Sequence, residues 1–287
     1  MRLAIAFALK ALAVYVTSIV SSAIVFGALE ISPGPHPANG LLSAGAALLL
    51  VHALTVGSVL FVVAFATVRG VALAVLLFVV LFGTQTAMMQ METLAFNRSV
   101  GMPIRDVMVL VLSGAINAAA IAVVAALLFR GPSAGALAPP PRLGWRLAAA
   151  SLAYVVCYYG AGFFLAWSSE AVREYYGQGV GIDQRFLLPF QVFRGLLWSL
   201  IALFLALRLR GSLLQRVAIM TLLFPLLTAP QLLYPNTYMP LAVAKAHLIE
   251  IAVSEAIWGA IAGLLLLPWR LKKSLASRSI QTGSAPA

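Results

Sequence analysis

Long apolar runs recur along the chain, and short stretches rich in glycine, proline or charge separate them. Eight runs reach the roughly 20 residues that an α-helix needs to cross the hydrocarbon of a bilayer. They lie near Leu3–Leu29, Leu41–Val68, Val71–Ala95, Val107–Phe129, Leu147–Ser168, Phe186–Leu207, Leu213–Tyr234 and Ala246–Pro268. The second and third are separated only by Arg69-Gly70, which predicts a tight helical hairpin. Ser32 to Gly40, Gly101-Met102-Pro103, Gly131 to Pro141 and Pro235 to Pro240 supply the other breaks. The first run is longer than the apolar core of about 7–15 residues of a signal peptide, so it reads as an uncleaved first span. The expectation is an all-α, polytopic transmembrane bundle. Its single membrane domain covers residues 1–271, and residues 272–287 form a disordered cytoplasmic tail.

Composition narrows the partner. Hydrophobic residues make up 62% of the 287 positions and charged residues only 9%, whereas soluble domains carry about a quarter charged residues. A water-soluble fold would have to hide that apolar surface; a lipid bilayer accepts it. The net charge of +11 does not point to nucleic acid, because the basic residues stand singly between apolar runs and build no basic platform. Their distribution alternates instead. Twelve lysines and arginines fall on the N-terminal side: Arg2, Arg69, Arg130, Arg142, Arg146, Arg208, Arg210, Arg216, Arg270, Lys272, Lys273 and Arg278. Arg98, Arg105, Arg173, Arg185 and Lys245 fall on the other. The excess of basic residues in cytoplasmic loops places both termini in the cytoplasm, in the cytoplasmic (inner) membrane of a bacterium. The one cysteine, Cys157, allows no disulfide within the chain and no thiolate metal site.

Acidic residues are scarce and concentrate the chemistry. Glu30, Glu92, Asp106, Glu170, Glu174, Asp183, Glu250 and Glu255 all fall at the outer face or in the outer half to middle of a span. Ionisable groups inside a span are costly and usually face a partner or a polar cavity. In the third span Gln85, Met89 and Glu92 share one stripe by their spacing, with Gln90 on its flank. Gln191, Arg194 and Trp198 form a second stripe in the sixth. His247, Glu250, Ser254 and Trp258 form a third in the eighth, with Glu255 about 80° round the helix. The third, sixth and eighth spans are therefore expected to meet around an outward-open polar pocket, with Arg194 paired to Glu92 or Glu250. One arginine cannot neutralise Glu92, Glu250 and Glu255 together, and a carboxylate left over suits cation binding or proton coupling.

His247 and Glu250 have the i, i+3 spacing of two metal ligands on one helix, but HExxH is absent and no metal site is expected. His52, in the second span, reads as a core histidine bonded to a hydroxyl or carbonyl. Lys10, in the first, lies close enough to the N-terminal face to snorkel. Gly259 and Gly263 form a GxxxG pair that fits close packing within the chain. Tyr175 and Tyr176, in the polar segment between the fifth and sixth spans, suit the interfacial aromatic belt.

A weak repeat also runs through the sequence at an offset near 140 residues. Glu30 matches Glu170, Arg69-Gly70 matches Arg210-Gly211, and Met102-Pro103 matches Met239-Pro240. This suggests two parallel four-helix halves, 1–140 and 141–271, as in some transporters.

The EExxxR motif of intramembrane CAAX-processing proteases is not met. Glu92-Thr-Leu-Ala-Phe-Asn-Arg98 lacks the paired glutamates and places its arginine one position late. No nucleotide-binding fingerprint occurs. The leading expectation is a protein that binds or transports a small polar or cationic solute; the cofactor, if one is used, stays unidentified. An intramembrane hydrolase or transferase built on a Glu–His pair, and a non-catalytic membrane subunit or scaffold, stand as alternatives.

Overall fold

The computed structural model describes residues 2–177 and 183–268; the tail expected to be disordered lies outside them. Among the described residues eight helices are long and apolar enough to cross a membrane, and no strand is present. They are α1 (Ala4–Ala28), α2 (Ala44–Phe65), α3 (Val71–Ala95), α4 (Ile104–Leu128), α5 (Leu143–Ala166), α6 (Gln184–Ala206), α7 (Leu213–Leu233) and α8 (Leu241–Leu266). The protein is an all-α transmembrane bundle whose apolar outer surface meets lipid. Val71, Phe163, Phe164 and Leu214, each at least 71% exposed, stand on that surface.

Local chemistry sets the helix ends. Pro103 and Pro240 occupy the N-cap positions of α4 and α8, so both helices start three or more residues before the uninterrupted apolar run. Proline is tolerated there because the first backbone donors of a helix have no intrahelical acceptor. Ser212 and Gln215 form a reciprocal capping box at the start of α7. Cations take carbonyls at and just beyond the end of α8: Arg146 donates to Leu265 O at 2.7 Å and Arg216 to Pro268 O at 2.7 Å.

Three spans depart from α geometry. Phe82–Ala87 in α3 and Gly162–Ala166 in α5 are π-helical turns. Pro225 lies inside α7, which finishes in a 3-10 turn at Ala229–Leu233.

Within the first half α1 packs on α2 and α4, and α3 packs on α4. Within the second, α5 packs on α6 and α8, and α7 on α8. Between the halves α2 meets α7 and α3 meets α6. Each of these contacts has a counterpart four helices on; α6 also packs on α8 and α2 touches α3, and neither of those has a counterpart of that extent. At the N-terminal face a short backbone pairing joins the ends of α2 and α6: Thr67 N donates to Arg208 O at 2.8 Å, and Arg210 N to Phe65 O at 2.7 Å.

Small residues let backbones approach. The GxxxG pair of α8 faces α7, where a Cβ at Gly259 would lie 2.5 Å from Met220 O and one at Gly263 3.2 Å from Val217 Cα. Overpacking such a contact costs about 1–3 kcal/mol. Gly259→Leu should therefore lower the thermal unfolding temperature in detergent markedly. Gly57→Ala, whose added Cβ meets nothing within 4 Å, should leave it unchanged or raise it, because alanine is the better helix former.

Candidate functional site

The polar side chains singled out in the sequence divide into a buried arginine knot, a histidine relay and one deeper glutamate. The knot is built on α3 and α6. Arg194, 1% exposed, donates from Nη2 to Glu92 Oε2 at 3.0 Å and to Met88 O at 3.0 Å, and from Nη1 to Gln191 Oε1 at 3.0 Å. Its guanidinium carbon also lies 5.8 Å from the ring centres of Tyr154 and Phe190. The π-turn in α3 makes this possible. It widens the helix just before Met88 and Glu92, and the i, i+4 pair beyond it presents a carbonyl and a carboxylate to one guanidinium.

The same turn overturns the single stripe expected along α3. Gln85 sits inside the π-turn and donates from Nε2 to Thr55 Oγ1 on α2 at 2.8 Å, away from Arg194. A spacing argument at 3.6 residues per turn does not survive a turn of wider pitch. Gln90 joins neither group; its Oε1 is buried without a hydrogen-bond partner.

The relay sits on α8. His247 Nδ1 lies 2.5 Å from Glu250 Oε2, and Tyr176 Oη lies 3.2 Å from His247 Nε2. Glu250 thus partners His247 and not Arg194. With Glu250 ionised, Nδ1 must carry the proton, so Nε2 accepts from the tyrosine hydroxyl. Tyr176 belongs to a short helix, Glu170–Gly177, that packs against α8. Burial pushes its phenol well above the usual range, and Glu92, Tyr175 and Glu250 push in the same direction, so it stays a neutral donor. Burial likewise pushes Tyr175 up to about 12. The two groups are neighbours, because the charges of both Glu92 and Glu250 reach Tyr158 and Tyr176. Both nitrogens of His247 are thus engaged in hydrogen bonds. No group of three or more metal-ligating side chains occurs among the described residues.

Glu255 lies one and a half turns deeper on α8. It is 6% exposed, its Oε2 has no hydrogen-bond partner, and it lies within electrostatic reach of Arg194 and Glu92. Below the knot, Tyr154, Trp198, Trp258 and Phe224 close the bundle with ring centres 4.9–6.1 Å apart. Access is graded: the Glu92 side chain is 27% exposed, His247 16% and Glu250 11%.

The fifth span was missing from the sequence argument, yet it forms one wall. Tyr154, Tyr158 and Gly162 follow at intervals of four on α5. Gly162 opens the π-turn of that helix, and a Cβ there would come 3.5 Å from Glu250 Oε1. The interval of four was readable; the carboxylate it faces was not. His52 lies elsewhere, with Nδ1 2.5 Å from Ser18 Oγ on α1. Asp106, buried at the face opposite the N-terminus, accepts from Ser32 N at 3.0 Å and ties the α1–α2 loop to α4.

No family model matches the chain, and no curated protein or solved structure matches it either.

Removing one member of a buried pair strands the other. Arg194→Met should destabilise the protein by roughly 3 kcal/mol. The double variant Arg194→Met/Glu92→Gln should recover part of that loss, with a coupling energy of roughly 1–3 kcal/mol. Denaturant unfolding of the four proteins in detergent measures it; strict additivity would show that the pair is not energetically linked.

Proposed function

We propose that the protein binds or transports a small polar or cationic solute across the bilayer, using the carboxylates of Glu92, Glu250 and Glu255. Arg194 organises the site and Gln191 holds its guanidinium. One observation carries this reading: Arg194 is bonded to one carboxylate, Glu92, while Glu255 lies within its electrostatic reach and Glu250 stands in the adjoining relay. Glu250 is held by a histidine that needs no charge, and Glu255 keeps a buried oxygen without a donor. Carboxylates that outnumber the cations beside them favour a ligand that brings positive charge or a proton. The Tyr176–His247–Glu250 chain then supplies a route for that proton.

Most helix contacts in each half have a counterpart four helices on, which supports the further reading that residues 1–140 and 141–271 are parallel repeats. Transporters of this kind place their sites where the repeats meet, and the α3–α6 contact that holds Arg194 joins the two halves. We assign the N-terminal face to the cytoplasm of a bacterial cell on the excess of basic residues there.

A second reading has one observation behind it. A histidine held by a carboxylate and facing a tyrosine is the arrangement of a general base, which an intramembrane hydrolase or transferase would use. The two readings separate in one experiment. Proteoliposomes loaded with a pH-sensitive dye are challenged with Na+, K+, Mg2+ and small organic amines. Coupled proton movement with at least one of these is expected from the wild type. It should fall about tenfold or more in Glu255→Gln, because losing a bond to a charged ligand costs about 1.5–3 kcal/mol, and His247→Gln should only slow it. Flux with none of the probes in the wild type overturns the transport reading. Flux unchanged in both Glu92→Gln and Glu255→Gln overturns the mechanism.

A further inference from the structure

A second polar feature lies at the opposite end of the bundle from the carboxylates. At the N-terminal face a cavity of about 210 Å³ opens between α1, α2, the end of α4 and the α6–α7 turn. Four cations line it: Lys10, Arg69, Arg130 and Arg210. No carboxylate does, and none of the four belongs to an ion pair found among the described residues. Like charges do not converge without a reason. Arg69 is disfavoured as a cation first by burial and then by the charge of Arg210 beside it.

The guanidiniums are held in place by the backbone. Arg69 Nη1 donates to Ala66 O at 2.8 Å and to Val68 O at 2.7 Å, and Arg210 Nη2 donates to Ala64 O at 3.2 Å. An arginine has five N–H donors, so each keeps donors for a ligand. Lys10 Nζ stands 5.5 Å from the centre of the Phe129 ring, and Phe7 packs edge-on against that ring at 5.7 Å. The cavity thus has a cationic rim and an aromatic floor. On α1 the cavity is lined by Phe7, which is 46% exposed and so reaches the surrounding hydrocarbon as well as the cations.

We propose that this cavity is a binding site for an anionic phospholipid, with the headgroup phosphate held by Lys10, Arg69, Arg130 and Arg210 and the acyl chains passing Phe7 into the bilayer. Phosphate chemistry fits because arginine meets it through paired N–H donors. The lipid-exposed Phe7 at the rim favours a lipid over a free phosphate, since only an amphiphile uses both parts. Basic pockets between spans at a cytoplasmic face hold such headgroups in general. The site is separate from the carboxylate cluster and does not depend on the transport reading.

Native mass spectrometry of the full chain, released from micelles doped with phosphatidylglycerol or phosphatidylcholine, tests the assignment. Tighter binding of phosphatidylglycerol is expected. Arg69→Gln and Arg210→Gln should each weaken it about fivefold, the worth of one basic residue near an anionic surface, and should narrow its lead over phosphatidylcholine. Arg69→Lys should retain most of the preference. Arg142→Gln, on the same face but outside the cavity, should behave as wild type. If the arginine variants do not fold, Lys10→Gln carries the same expectation. No preference for phosphatidylglycerol in the wild type overturns the proposal, and so does a preference undiminished in a folded variant of the cavity. Inorganic phosphate that displaces the lipid at equal concentration would mark a free-phosphate site and overturn the lipid assignment.

Discussion

Hydrocarbon offers no hydrogen bonds, so a guanidinium carried into the bundle must find every partner inside it. Arg194 is that group, and much of the upper half of the molecule follows from housing it. Its bonds to Glu92 and Met88 fix α3 against α6, its bond to Gln191 fixes its own rotamer, and its ring contacts place Tyr154 of α5 alongside. Three helices from both halves of the chain are thereby set in one register. A buried pair of this kind contributes little net stability but penalises any alternative packing that separates its members.

The two π-turns are the local adjustments that this constraint requires. In α3 the wide turn precedes the carbonyl and carboxylate that face Arg194. In α5 it begins at Gly162, where the backbone runs beside Glu250. Such turns carry a cost in helix geometry and recur at functional sites. Here both stand next to ionisable groups, and neither occurs in α1, the least buried of the spans.

The spans were legible because their length and apolarity are dictated by the bilayer. Their ends were less so. Arg105, Asp106, Arg146 and Lys245 look like loop residues by charge, but helix geometry starts at Pro103, at Arg142 and at Pro240 and carries them into the first turns. The pairing of Arg194 with Glu92 was one of two options that depth allowed, and Glu250 was free for His247 instead. The face of each helix was harder to read. In water a polar stripe marks the outside; in lipid the outside is as apolar as the core, so the side-chain pattern of α2 or α3 carries almost no direction. The role of Tyr154, Tyr158 and Gly162 was hidden for that reason, and the departure of Gln85 from the Glu92 face was hidden by a backbone irregularity that no residue type announces.

The backbone pairing at Ala66 and Leu209 ties the ends of α2 and α6 together at the N-terminal face. The chain between α4 and α5 reinforces it, with Ala134 N bonded to Thr67 O and Leu137 N to Leu207 O. Main-chain bonds of this kind do not slide, because shifting by one residue breaks all of them at once. Any separation of the two halves that exposes Arg194 and Glu255 must therefore work as a hinge with its pin at this joint. The far ends of the helices would swing through the larger arc, and the cationic cavity beside the pin would change shape least.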